Sequence, residues 1–447
     1  MAGLSTKKIK AKGGQAFGWL FWVLIVLYSF NYDRWQTWIP PLRYFKIPGL
    51  LTLFLTLWWL VKADKKFFRD EALLKIYLLF ACYIAISFFW GVNNHSIFRI
   101  MAFFLLFTSL VLPTVSLVDT PEKIRVFFRA WVSIQAIVAI WAIGHAGQGP
   151  GDFLLDENDL GSAMCMAFPY GLFLISSKRE PVKWRIFYFI TTALIVWAIV
   201  SCRSRGALVG LVGVFGAVCW FSKKRIRNLI IGLVIAVLVV LIAPHFLPHK
   251  YIARMDTMAD PNNGTRVERL RSWEIARIMW ADNPFFGVGI EQFKWNVGRY
   301  EKLTSYWVSD KLTKSLQGRE AHSVYFSLLA DLGLVGVAIY AGLLITLFRV
   351  LNRVAVAGRA LDLAEARRGG RGKSVADDPQ SFVAEGAVYA RAILSSILAF
   401  LVTGTFISIL YYPNLWLIVG FTVVIKRATS AGMPVDRKSI GRSGFGK

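Results

Sequence analysis

The stretch "VSCRSRGALVGLVG" (Val200–Gly213) sets two arginines, Arg203 and Arg205, between long apolar runs, with no Asp or Glu anywhere from 181 to 255. A cation at a membrane boundary costs free energy unless an anion compensates it. Further along, "NNGTRVERLRSWEIARIMWADNPFFGVG" reads as a helix that Asn263 or Thr265 can cap and Asn283-Pro284 ends. At helical spacing Arg266, Arg269, Trp273 and Arg277 share one face. A row of cations with one indole suits a phosphate together with an apolar or sugar-like group. The same row also suits a helix lying on anionic lipid headgroups. In "REAHSVYFSLLADLGLVG", His322 stands at the lip of an apolar run just after Arg319 and Glu320, where an imidazole can cap, sense pH or accept a proton. Arg99, in "NNHSIFRIMAFF", is one more external arginine, read as unpaired. Asp156, Glu157 and Asp159 in "LLDENDLGSAM" form an acidic cluster at a helix start, where they can cap it and complement its dipole.

These residues need elements to hold them, and composition names the class. Of 447 residues, 56% are hydrophobic, with 17 Trp and 34 Phe. Runs of roughly 17–25 apolar residues span the hydrocarbon core, and they recur along nearly the whole chain without the alternation of a transmembrane barrel. The expected fold is an all-α polytopic membrane protein with about twelve transmembrane helices. They are read at 16–31, 47–62, 74–91, 98–117, 127–144, 159–176, 186–201, 206–221, 228–244, 322–348, 386–409 and 413–425. The N-terminal run shows no small-x-small cleavage pattern and reads as the first of these helices.

The net charge of +25 does not indicate nucleic acid, because most of the 52 Lys and Arg sit in short loops between spans. Segments such as KKIKAK, KADKKFFRDEALLK, KREPVKWR and KKRIR fall on one side, so both termini are expected in the cytoplasm. Arg203 and Arg205 then face outward, against the charge bias. The organisation expected is helices one to nine over 1–244, a large periplasmic loop with short helices over 245–321, and three helices over 322–425. The last group carries a basic cytoplasmic linker at 349–385 and precedes a basic tail at 426–447. The four cysteines form no CxxC pair, so neither a disulfide framework nor a zinc site is expected. His245 and His249 are four apart, but Pro244 and Pro248 interrupt a helix there, and no metal site is expected. "FFGVGIEQF" contains GxG without a preceding strand and reads as a turn rather than a dinucleotide site.

The external face of a membrane has no nucleoside triphosphate, and the chain has no P-loop, so a donor used there must arrive already activated. A lipid-linked diphosphate sugar fits: its diphosphate meets arginines, whose permanent charge and bidentate geometry match phosphate oxygens. Stabilising the departing diphosphate lowers the barrier without a metal or other cofactor, and a histidine opposite can deprotonate the acceptor hydroxyl.

Taken in order, "DENDLGSAM", "RSRGALVG", "GTRVERLRSWEIARIMWADNPFFGVGIEQF" and "AHSVYFSLLADLGLVG" resemble the bacterial O-antigen ligase and O-antigen polymerase family over residues 156–348. The resemblance implies a GT-C-like, metal-independent and inverting glycosyltransferase of the bacterial inner membrane, with its active site facing the periplasm. The donor would be an undecaprenyl-diphosphate-linked glycan and the acceptor the lipid A core, a protein or a polysaccharide; a monomer is expected. Residue by residue, it carries the catalytic roles onto Arg205, Arg266 and His322, with Arg203 and Arg99 as helpers; Arg269, on the helix face of Arg266, is read with them at the diphosphate. Many ligases read His-Asn at the lip where this chain has His322-Ser323. "AHSVYF" is closer to the O-glycosylation ligases that accompany exosortase systems, which opens the choice of acceptor. The alternatives are a repeat-unit polymerase and, from another class, a transporter of anionic lipid-linked glycans.

Overall fold

Away from water, a single apolar segment satisfies its own N–H and C=O groups only by coiling into a helix. The computed structural model describes residues 17–430 except 66, 67, 69, 178, 223, 224, 227–229, 231–263, 310–312 and 368–378, and the described residues form helices and connecting turns with no strand. In chain order the helices are α1 (Trp19–Tyr32), α2 (Ile47–Lys62), α3 (Ala72–Ile86), α4 (Asn94–Leu117), α5 (Pro121–Gly144), α6 (Glu157–Ile175) and α7 (Val182–Ser201). They continue with α8 (Arg205–Phe221), α9 (Gly264–Asp282), α10 (Phe293–Tyr300), α11 (Val324–Arg367), α12 (Pro379–Thr403) and α13 (Pro413–Ser430).

Every apolar run expected to span coincides with one of these helices, save 228–244, which apart from Ile230 lies outside the described residues together with His245 and His249. By length and composition seven described helical segments can cross a membrane: Pro40–Lys62, Ala72–Phe89, Asn94–Leu117, Pro121–Gly144, Val182–Ser201, Val324–Ala364 and Phe382–Thr403. Trp19–Tyr32 and Arg205–Phe221 are apolar but shorter. The chain is a multi-pass membrane protein, and the expected count of twelve is larger than the seven that meet this standard. Packing supplies the reason for part of the difference. In α6 every residue from Leu160 to Gly171 is buried, and α13 is buried from Leu415 to Ile425. A helix enclosed by other helices has no need of a lipid-grade surface, so these two carry Gly, Ser, Thr, Asn and Pro. At the other extreme α2 buries only Leu55.

The end of the bundle that carries Arg205 is held by small residues. Ser162 and Thr403 share a hydrogen bond of 2.6 Å between α6 and α12, and a Cβ on Gly210 of α8 would run into Thr403. Three backbones thus approach closely beneath the start of α8. Asparagine and serine side chains fix that start: Ser204 accepts from Ala207 N as the helix cap and donates to Asn158 of α6 at 2.7 Å.

Residues 264–321 form a second, smaller core in which Ile275, Met279, Val288, Phe293, Val297 and Tyr300 meet. Its attachment to the bundle runs through a break in α11. Gly333 has φ +59° and ψ −164°, a combination essentially reserved for glycine. The break frees the carbonyls of Ala330, Asp331 and Leu332 and the amides of Leu334 and Val335, and the turn "PFFGVG" answers them. Val288 N and Gly289 N donate to Ala330 O (2.9 Å) and Asp331 O (2.8 Å), while Leu334 N and Val335 N donate to Pro284 O (2.9 Å) and Phe285 O (3.0 Å). Tyr83 from α3 donates to Leu332 O at 2.7 Å. The Asp331 carboxylate accepts from Phe293 N (2.8 Å), which opens α10, from Glu291 N (3.1 Å) and from Tyr411 OH (2.7 Å). The expected turn is present; its partner, a broken helix, is what the sequence reading lacked.

A Cβ at position 333 would meet the backbone of Phe285 and Gly287 besides forcing a disfavoured φ, whereas one at Gly342, on the same helix, meets open space. Gly333→Ala should therefore lower stability by about 1–3 kcal/mol or more, and Gly342→Ala should be neutral or stabilising by up to about 1 kcal/mol. Thermal unfolding of the two purified variants in detergent checks this; equal melting temperatures would refute the account.

Candidate functional site

Three segments far apart in sequence converge at the same end of the bundle. The corner between α7 and α8 brings Arg203 and Arg205; α9 brings its arginine row; the entry to α11 brings His322. Each is held locally in a specific way. Arg203 takes a left-handed backbone (φ +53°), with Cys202 N and Arg203 N bonded to Ala198 O (2.9 Å) and Val200 O (3.2 Å), and Ser204 capping the next helix. His322 is also left-handed (φ +53°), and Val324 N two residues later donates to Gly404 O at 2.7 Å, tying the lip of α11 to the end of α12. Left-handed non-glycine residues are strained and persist where the surroundings over-determine them.

Helix α9 ends as expected, with Asn283 N bonded to Met279 O and Trp280 O. It does not lie free: Trp273 donates from Nε1 to Ala321 O (3.1 Å) and stacks on Phe326 of α11 with ring centres 5.1 Å apart. That fastens the arginine row beside His322. Arg269 is half-buried; desolvation, then repulsion from Arg205, holds its guanidinium below the usual arginine value. Arg205 of α8 and Arg269 of α9 are thus near enough for their charges to repel. His322 opens to the outside of the protein, yet its imidazole is held below the ordinary histidine value of 6.5. Desolvation is the largest cause, followed by the cations Arg269 and Arg319, against the opposing pull of Asp156 and Glu268. At neutral pH this histidine is an uncharged base.

Of the residues singled out from sequence, the fold brings Arg205, Arg269 and His322 into one electrostatic neighbourhood. Arg266 is exposed one turn before Arg269 on the same face, and Arg277 is exposed two turns after it. Arg203 lies partly buried two residues before Arg205. Arg99 departs from expectation: it is not unpaired but forms an ion pair with Glu291, which Lys294 also approaches at 2.7 Å. Lys294 bonds onward to Glu320 at 3.0 Å, so Arg99 reaches the lip only through a neutralised chain of charges. Its partner lies on the "PFFGVGIEQF" turn, remote in sequence, which local reading cannot connect. The acidic cluster divides in two. Asp156 caps α6 through Asn158 N (2.8 Å), as expected, while Asp159 accepts from Tyr412 OH (3.0 Å) and ties α6 to the segment before α13.

Sequence reasoning passed over Glu268 and Arg271, and noted Arg319 only as a neighbour of His322. Arg319 pairs with Glu268 at 2.6 Å beside His322. Arg271, only two residues from Arg269, faces inward: it is buried, pairs with buried Glu301 at 3.1 Å and donates to Lys314 O at 2.6 Å. It holds the outer core together and takes no part in the open cluster. An acid–base alternation in "VERLRSWE" was the available signal for helix pairing; nothing in it separates the inward arginine from the outward one.

Residues 161–341 match the family described as O-Antigen ligase, a stretch running from the first turn of α6 through the broken part of α11. No curated protein matches the chain.

Removing either flanking cation should raise the His322 value, since positive neighbours disfavour the imidazolium. Carbethoxylation of His322, followed by mass spectrometry across pH, should give a midpoint below 6.5 in the native protein. Arg269→Ala and Arg319→Ala should each move it upward. An unchanged midpoint in both variants would remove the arginines from this description.

Proposed function

We propose, from the match of residues 161–341 to the family described as O-Antigen ligase, that this multi-pass membrane protein is a glycosyltransferase using an undecaprenyl-diphosphate-linked glycan. The family supports a ligase- or polymerase-type activity; donor, acceptor and mechanism are the proposal. The observation that carries it is the convergence of Arg205, Arg269 and a neutral His322 from three separate segments at one end of the bundle.

Arg205 helps hold the Arg269 guanidinium below its usual value; a diphosphate between them would relieve that repulsion and gain bidentate hydrogen bonds. With the diphosphate there, the sugar's anomeric carbon lies toward His322. The acceptor hydroxyl oxygen forms a bond to that carbon as the carbon–phosphate-oxygen bond breaks, and the electron pair leaves with the diphosphate. Arg205, Arg266 and Arg269, with Arg203 behind them, stabilise the growing charge. The hydroxyl proton passes to His322, and attack opposite the leaving group inverts the anomeric centre. Both termini would be cytoplasmic and this end periplasmic, in the bacterial inner membrane, where the polyprenyl tail lies among the helices.

A polymerase needs a second lipid-diphosphate site. Arg99, the remaining arginine predicted for the lip, is already neutralised by Glu291, which favours a ligase with one donor. The acceptor is the lipid A core, a protein or a polysaccharide end, and His322-Ser323 in place of His-Asn leaves protein acceptors in view. A transporter would concentrate its charges at mid-membrane; here they gather at the lip.

In single-turnover assays with purified protein, EDTA and lipid-linked glycan, Arg205→Ala and Arg266→Ala should abolish transfer while the protein inserts normally. His322→Ala should reduce the rate about 10²–10⁴-fold, the range of general-base catalysis. Native transfer should hold through neutral pH and fall only as the medium drops below 6.5, where the lowered imidazole protonates. Near-normal transfer by both arginine variants would overturn the assignment.

A further inference from the structure

A second group of side chains at the same end has no role in the transfer described above. It gathers around the loop from His145 to Asp156, the end of α5 and the segment Arg34–Trp38. Trp141 and His145, one turn apart at the end of α5, lie with rings parallel (5°) and 3.7 Å between centres. Trp38, 37% exposed, packs its ring 4.7 Å from that of Trp141. Together they make an aromatic ledge. Its rim is polar: Arg34 is ion-paired with Asp152, and Gln148 is exposed.

The backbone around the ledge is strained. Arg34, Ala146 and Asp152 are left-handed non-glycine residues, with φ of +56°, +55° and +48°. In the segment leading into Trp38, Asp33 Oδ1, Arg34 Nε and Gln36 Oε1 are buried with no hydrogen-bond partner among the described residues. Unsatisfied buried polar atoms and backbone strain in one corner are features that folding alone does not favour, and they gather where a protein is shaped for a ligand.

The ledge also touches the transfer site through the backbone. Gly147, two residues past His145, lies flush on Ser201 and Cys202, and a Cβ there would collide with both. That is the corner that presents Arg203 and Arg205. On the other side, Asp152 is four residues from Asp156, at most about 14 Å of extended chain, and Asp156 stands in the surroundings of His322. A glycan whose first sugar lies between Arg205 and His322 therefore reaches the ledge within a short run of rings.

The geometry points to Trp38, Trp141 and His145, rimmed by Arg34, Gln148 and Asp152, as a subsite that holds a pyranose ring of the glycan at a distance from the reacting bond. The inference rests on the proposed function. The apolar C–H face of a pyranose covers the stacked rings, while its hydroxyls meet carboxylate, amide and guanidinium at the rim. An anchor in a membrane's aromatic belt needs only a wet edge and a partner for its N–H, and Trp38 Nε1 already has one in Asp33 O at 2.9 Å. The exposed Ile39, Tyr44 and Phe45 that follow fit that anchoring role; the ledge, with its polar rim and strained turn, does not need it.

The test separates this inference from the reading it rests on. Undecaprenyl diphosphate bearing one N-acetylhexosamine and the same lipid bearing an oligosaccharide of several sugars are mixed with purified protein in nanodiscs, and binding is read by native mass spectrometry. The native protein should prefer the long donor. Trp141→Ala, and independently Trp38→Ala, should reduce that preference about tenfold, a factor equivalent to ~1.4 kcal/mol; Trp141→Phe should keep most of it. Equal binding of both donors by the native protein would overturn the subsite, as would alanine variants that keep the full preference or weaken both donors alike. Transfer, followed in the same samples, reports on the proposed function separately: a preference without transfer sinks the enzyme and leaves the ledge standing.

Discussion

The break in α11 at Gly333 is the constraint from which the rest of this end follows. A helix interrupted inside a membrane protein leaves carbonyls and amides unpaired, each costing about 1–3 kcal/mol if buried without a partner. Here one turn, Pro284–Gly289, supplies four main-chain partners, and Tyr83 supplies a fifth. Because these bonds fix the turn to the helix, they fix what lies on either side of it: α9 before, α10 after. The position of Arg269 against Arg205 is thus set by backbone hydrogen bonds on the far side of α9, not by attraction between the side chains, which repel. A site built from like charges needs such an external frame.

The same helix holds two arginines in opposite environments. Arg271 turns inward and is satisfied by Glu301, Lys314 O and the Trp307 ring face at 5.0 Å. Arg269, about 200° round the helix from it by helical geometry, meets another cation. Removing the partner of a buried ion pair costs several kcal/mol, so Arg271 belongs to the stability of the outer core. Arg269, desolvated and beside Arg205, lacks the compensation that Arg271 has from Glu301.

How much of this could be read from sequence follows the range of the signal. Apolar runs located the helices because lipid and core both demand long apolar stretches. They overstated how many helices are apolar enough to face lipid, since α6 and α13 are sheltered by neighbours. The motifs at Arg205, Arg266–Arg269 and His322 were legible one by one, as residue types at lips and on one helix face. Their convergence was not, because it depends on which main-chain atoms α11 leaves open. One signal was present and unused: Asp331 is an acid inside an apolar run, and an ionisable residue there asks for a partner. It has three, Phe293 N, Glu291 N and Tyr411 OH, from two other segments. The pairing of Arg99 with Glu291 is long-range in the same sense, and no helical or loop pattern announces it.

Left-handed residues mark the positions where this end is most tightly determined. Arg203, Glu291 and His322 all adopt φ above +50° without being glycine. Each stands next to a helix start whose first donors are met from elsewhere: Ser204 Oγ caps α8, the Asp331 carboxylate meets Phe293 N of α10, and Gly404 O receives Val324 N of α11. The strain has a consequence for direction. A residue in the right-handed region just before a helix continues the helical path, and its side chain follows the helix surface. A left-handed residue turns the chain sharply, so the side chain leaves that surface at the lip. Of the three, His322 is exposed at the lip and Arg203 is half-buried, whereas Glu291 is buried and turned onto Arg99 and Lys294. The bundle supplies the rigidity, and the strained corners convert that rigidity into the placement of charge.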